Sequence, residues 1–237
     1  MTNCPTNASH LSVEACRRLT HSSIQIGPLS SIFTPLRMVS AFFYGTLMHP
    51  EILKRVIGND GSQLQMCPAL LLDYTRHQVK NEDYPGILSY SQSRAMFDHD
   101  LKSEEKSVRG SLVTGLSDED VRLLDVFEGN QYTRELVSVY PLGPLANIRD
   151  IPPIEMKSLV PTTPPPIPIL SELGNPVEAA TYVWCLSSSE LRAQLWTFEE
   201  FVKLNAWKWI GSGSTDNKDY DEVDRRRAME GIIDARS

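Results

Sequence analysis

The chain has 237 residues, 41% of them hydrophobic, and a formal net charge of −7. That length suits one domain, or one domain with tails, and a core can form. The acidic balance argues against sequence-independent binding to nucleic-acid phosphates, although a local site can still hold a small anion. Cys4, Cys16, Cys67 and Cys185 are scattered, with no C-x-x-C pair. This speaks against a disulfide scaffold or structural zinc and for thiols in a reducing compartment. His10, His21, His49, His77 and His99 include no i, i+4 pair, so no helix-borne metal site is read. No apolar run is long enough to span a bilayer. Met1 to Leu19 lack the apolar stretch of a secretory signal. The Ser/Thr-rich, basic segment before Val39 has a trace of mitochondrial-presequence character, but a mobile arm over 1–38 of a cytoplasmic protein is the preferred reading.

The first strand signal is Val39-Ser40-Ala41-Phe42-Phe43-Tyr44, rich in aromatic and β-branched residues and broken by Gly45. Pro50 then opens a short helix whose apolar face is Ile52, Leu53, Val56 and Ile57. A sheet region is expected over 63–80, with Pro68 marking an irregular edge. Tyr84-Pro85-Gly86-Ile87-Leu88 reads as a turn feeding a strand, 91–107 as a loop, and 108–116 as another strand. Ser117 is the expected N-cap of the best-defined helix, with Asp118, Glu119 and Asp120 in its first turn and Gly129 as its stop. A strand follows over 132–140.

Residues 141–176 hold ten prolines, a density that no ladder tolerates, and are read as an insertion within the domain. One more strand, Ala179 to Cys185, comes after it. Thr197 to Glu200 has capping-box spacing and opens a helix carrying Phe201, Leu204, Trp207 and Trp209. The domain is therefore expected over 39–211 and a charged, mobile tail over 212–237. Five or six strands and three helices that do not alternate one for one point to an α+β fold with a mixed or mostly antiparallel sheet.

One residue does not suit its place. On a helical wheel advancing about 100° per residue, Glu128 falls between Val121 and Leu124, on the face to be buried. A carboxylate there must be paired, neutral or functional. Burial and the negative end of the helix dipole both disfavour the anion, so its pKa is expected to rise toward the range useful for proton exchange. The same position also fits a frayed helix end turned to solvent, or a pair with Arg134.

Phe43-Tyr44-Gly45-Thr46-Leu47 resembles the Tyr-Gly-(Ser/Thr)-Leu loop of the γ-glutamylcyclotransferase-like superfamily. Leu124-Asp125-Val126-Phe127-Glu128-Gly129 with Tyr132-Thr133-Arg134 resembles its second signature. The likeness is strongest to the branch with the avirulence-induced-gene-like proteins and γ-glutamylamine cyclotransferases. It spans about Val39 to Ile210 apart from the insertion. The resemblance implies a small mixed β-barrel with flanking helices. It implies conversion of a γ-glutamyl amine or peptide to 5-oxoproline and free amine, with no metal, nucleotide or other cofactor.

Carried over by motif, Glu128 is the catalytic acid/base, and Tyr44, Gly45, Thr46 and Leu47 form the substrate-binding loop. Tyr132 is a further candidate binding residue if its hydroxyl turns to the site. Arg134 is placed either on a substrate carboxylate or on Glu128, and Asp125 supports the helix end. The expected partner is a small γ-glutamyl molecule, with neither nucleic acid nor membrane. Two other readings stay open: a non-catalytic ligand-binding or interaction protein on the same fold, and an enzyme of specialised metabolism acting on a γ-glutamyl-like amide.

Overall fold

The computed structural model describes residues 38–151, 165–204 and 224–225. The expected arm up to residue 37, the centre of the Pro-rich insertion, Trp207, Trp209 and nearly all of the tail lie outside the described residues.

Strand β1 (Val39–Phe43) runs antiparallel to β5 (Ser107–Leu116), and β5 antiparallel to β2 (Gln65–Leu72). β2 pairs with β6 (Tyr132–Pro141), β6 with β8 (Val177–Trp184), and β8 returns to β1 through the parallel pair Ala41 and Ala180. The five strands thus close into a barrel of mixed sense, as the resemblance implied. Closure removes the unpaired edges that an open sheet exposes. A second sheet, β4 (Pro85–Ser89), β3 (Tyr74–Val79) and β9 (Leu191–Leu195), stands beside the barrel.

Successive side chains on β1 point to opposite faces. Phe42 and Tyr44 join Cys67, Ala69, Leu71, Leu112, Val139 and Ala179 in one buried cluster within the barrel. Ala41 and Phe43 face the other way, into the cluster under the helices α1 (Pro50–Ile57) and α3 (Asp118–Glu128). Ile52, Leu53 and Val56 of α1 are fully buried there. Each buried side chain of that kind contributes about 1.5–3 kcal/mol relative to exposure.

Several expectations are refined. The region read as 63–80 is two strands, separated at Asp73, which adopts φ 60°. Pro68 lies in mid-strand, opposite Ser111 of β5. Its other flank is where the β6 ladder, which ends at Ala69, gives way to the short strand β7 (Ala146–Asn147) on Gln65 and Met66. The missing N–H therefore falls at a gap between ladders. The insertion begins with structure of its own, since β7 pairs with β2 and Ile148 is buried against α1. Within 91–107, the short helix α2 (Tyr90–Ser93) and a 3-10 turn at Arg94–Met96 stand where a loop was expected. The last described helix, α4 (Phe198–Leu204), buries Phe201 and leaves Leu204 exposed.

His49 is the N-cap of α1, its Nδ1 accepting from the Glu51 N–H at 3.3 Å. Burial, the largest influence on it, pulls its pKa down to about 4. An unfolded histidine titrates near 6.5. Its folded pKa is depressed, so the neutral ring contributes stability in full above about pH 6.5 and loses it as pH falls toward 4. Protonation also removes the acceptor that caps the helix. His49→Asn, which keeps a capping oxygen, is expected to flatten the pH dependence of the urea midpoint between pH 6.5 and 4. A slope unchanged from the wild type would show that the loss arises elsewhere.

Candidate active site

Two elements converge at one end of the barrel. The chain leaves β1 at Tyr44 and makes a 3-10 turn, Thr46–Met48, before α1. Met48 N–H returns to Gly45 O and His49 N–H to Thr46 O, each at 3.0 Å. A helical turn leaves its first N–H groups without partners of its own, so this turn presents backbone donors. Gly45 packs closely: a Cβ there would lie 3.0 Å from Cγ and Cδ of Pro85, tighter than an ordinary contact.

The second element is α3. Ser117 caps it as expected, exchanging hydrogen bonds with Asp120, whose Oδ1 also accepts from Asn59 at 2.8 Å. That accounts for an aspartate only 2% exposed. The helix ends at Glu128, and the chain turns back through Gly129–Gln131 into β6.

Glu128 is half-buried and lines one pocket with Phe127, Tyr44, Gly45, Thr46, Leu47, Tyr84, Gln131 and Tyr132. The structure thus brings all six residues singled out in the sequence to the same cavity. Its volume is about 60 Å³ and its mouth is open. Such a space suits the reacting end of a small molecule, with the remainder projecting outward.

The phenols are held as neutral donors. Tyr44 OH donates to the Tyr182 carbonyl, and burial first, then the nearby Glu128 carboxylate, push its pKa well up. Tyr182 OH donates to Asp125 Oδ1 at 2.9 Å and is pushed up by burial, Glu128 and Asp125 in that order. Neither phenol can serve as a base near neutral pH. Tyr132 OH donates to the Pro85 carbonyl at 2.9 Å, tying β6 to β4, and Tyr84 OH donates to Gln131 Oε1 at 3.1 Å across the mouth. The hydroxyl of Tyr132 therefore braces the pocket wall while its ring lines the cavity.

Arg134 Nε sits 3.2 Å from Asp125 Oδ1. Asp125 in turn joins Tyr182 to Arg134 at the rim. Elsewhere, His77 Nε2 and Ser93 Oγ lie 2.9 Å apart, the spacing of a nucleophile and its base. Both are fully buried and cannot meet a substrate; their contact fastens β3 to α2. Among the described residues no group of His, Cys, Asp and Glu is arranged to hold a metal ion. No described helix is long and apolar enough to cross a membrane.

Residues 41–148 match the family described as γ-glutamyl cyclotransferase, AIG2-like. Over that segment the chain is similar to the γ-glutamylcyclotransferase-like family. The matched segment holds the end of β1 from Ala41, the Tyr44–Leu47 turn, α3 and Glu128. Protein AIG2 C of Arabidopsis thaliana is 24% identical over 171 residues, covering 72% of this chain and 76% of the relative. AIG2-like protein D of the same plant is 23% identical over 168 residues, covering 71% and 82%. Among solved structures, an Arabidopsis thaliana protein studied in solution aligns at 22% identity and TM-score 0.44, over 84% of this chain and 85% of that one. A yeast γ-glutamyl cyclotransferase specific to glutathione aligns at 14% identity and TM-score 0.43, over 81% and 87%. Superpositions this loose say nothing about the site of this chain.

Arg76 has no counterpart among the expected site residues, yet its guanidinium lies directly behind the Tyr44–Gly45 peptide. An arginine within a strand of alternating pattern reads as solvent-facing, and only contacts distant in sequence bury it.

Proposed function

We propose that this chain is a cyclotransferase that converts a γ-glutamyl amide to 5-oxoproline and a free amine, with Glu128 as general acid and base. The supporting observation is that the Glu128 side chain and the Tyr44–Leu47 turn line one pocket. In this reading the backbone donors of the turn hold the substrate's anionic end, which folds the γ-carbonyl toward the α-amine. Glu128 takes a proton from the α-ammonium. The freed amine attacks the γ-carbon, closing the five-membered lactam. Glu128 then returns the proton to the departing nitrogen as its bond to the γ-carbon breaks. It also relays the second proton, shed by the α-nitrogen on becoming the lactam N–H, to the same amine, which leaves as an ammonium.

Atoms and charge balance without an external reactant. The attack is intramolecular, so holding the substrate folded supplies much of the rate. Tyr44 and Tyr182, kept neutral, help confine proton exchange to Glu128. Tyr84, Pro85 and Gln131 form the wall against which the leaving amine would lie.

The test is incubation of the full chain with a panel of γ-glutamyl amines and peptides, following 5-oxoproline and free amine together. Equimolar appearance of both from a panel member is the expected result. Saturable binding of panel members without product would overturn turnover and leave a ligand-binding protein.

A further inference from the structure

The guanidinium of Arg76, on β3, is packed between the second sheet and the barrel. Nη1 donates to the carbonyls of Tyr44 at 2.8 Å and Arg109 at 3.1 Å. Cζ stands 5.0 Å from the ring centroid of Trp196. That indole is itself fixed, its Nε1 donating to Asp83 O at 2.8 Å, and its backbone N–H donates to Arg76 O at 3.2 Å. Desolvation lowers the pKa of Arg76 to about 10, so the group remains cationic at neutral pH. Among the described residues it forms no ion pair with a carboxylate. A half-buried charge without a counterion still carries a desolvation cost. Two carbonyl acceptors and an aromatic face offset that cost only in part.

What this cation faces gives it a use. In a planar trans peptide the C=O and N–H point to opposite sides. Arg76 holds the carbonyl of the Tyr44–Gly45 peptide, so the N–H of the same peptide is directed away from it, and Gly45 lines the pocket. Among the described residues nothing accepts from that N–H. A charge-assisted bond to one end of a peptide strengthens the donor at its other end. Arg76 also places positive charge behind a pocket whose lining includes the Glu128 carboxylate and, among the described residues, no lysine, arginine or histidine.

We propose that Arg76 is a positioning residue that orients and polarises the Tyr44–Gly45 peptide so that the Gly45 amide takes the carboxylate of the substrate. The inference rests on the cyclotransferase reading of the pocket, and it adds to that reading a cation lying outside the cavity.

The experiment compares the wild type with Arg76→Met, Arg76→Gln and Arg76→Lys. NMR titration uses two probes: 5-oxoproline, and 2-pyrrolidinone, the same lactam without its carboxylate. Arg76→Met and Arg76→Gln are expected to weaken 5-oxoproline binding roughly tenfold while leaving 2-pyrrolidinone unchanged, because only the carboxylate feels the lost charge. Arg76→Lys restores most of the affinity. In turnover, KM for the γ-glutamyl amide rises while kcat changes less than about threefold.

Equal weakening of both probes would show that the guanidinium merely supports the fold and would overturn the proposal. Wild-type affinity for both would overturn it too. Should Arg76→Met fail to fold, Arg76→Gln and Arg76→Lys carry the same comparison. A wild-type protein that neither binds 5-oxoproline nor releases it would defeat the cyclotransferase reading itself. Wild-type activity with unaltered variants defeats only the role of Arg76.

Discussion

Replacing Glu128 by Gln should reduce turnover of any γ-glutamyl substrate by about 10³-fold, within the range supplied by general acid–base catalysis. The amide keeps the size and shape of the side chain but cannot carry a proton between the α-ammonium and the leaving nitrogen. The attacking amine then stays protonated and unreactive. Affinity for 5-oxoproline should hold or rise, since the variant loses a negative charge that faces the ligand's own carboxylate across one small pocket.

Stability should change little, because Glu128 is half-buried at an open mouth. Single-turnover kinetics beside urea unfolding would check both. Turnover within about threefold of the wild type would remove Glu128 from the chemistry.

Much of this arrangement was legible in the sequence, for local reasons. The helix α3 announces itself through Ser117 and the three acids after it, and the structure shows that cap as a reciprocal pair with Asp120. Glu128 could be placed toward the interior because a wheel depends only on residues within three turns of it. Strand β1 was evident from its aromatic and β-branched run.

What escaped was decided at long range. Strand β9, Leu-Arg-Ala-Gln-Leu, is exposed over Arg192, Ala193 and Gln194, and gains its identity only by pairing with β3. Within β3, Tyr-Thr-Arg-His-Gln-Val hides two facts. His77 is sealed under Ser93, and Arg76 is roofed by Trp196, which lies 120 positions further along the chain. Neither neighbour can be inferred from a window of sequence. The same holds for Tyr132, whose hydroxyl could be assigned to the site but whose partner, the carbonyl of Pro85, depends on how β4 stands against β6.

Gly110→Ala is expected to cost about 3 kcal/mol or more, among the largest losses available to a single methyl group. Gly110 lies on β5 opposite Ala69 of β2, and the neighbouring Ser111 pairs with Phe43 of β1. A Cβ at this position would meet the main-chain oxygen of Phe43 and come within 2.6 Å of Cζ of Phe42. A flexible side-chain tip could yield to such an approach, whereas a strand carbonyl and a fully buried ring cannot without moving the strand.

The strand that would have to move leads straight into Tyr44 and Gly45, so the damage should reach the pocket as well as the core. Arg109, next in the chain, supplies one of the two carbonyls that hold Arg76. Displacing β5 would therefore disturb the site from behind. Urea unfolding should show a midpoint well below that of the wild type, and any folded fraction should bind 5-oxoproline weakly. A stability change smaller than about 0.5 kcal/mol, the scale of neutral surface substitutions, would mean that the barrel closes less tightly around Phe42 than this geometry requires.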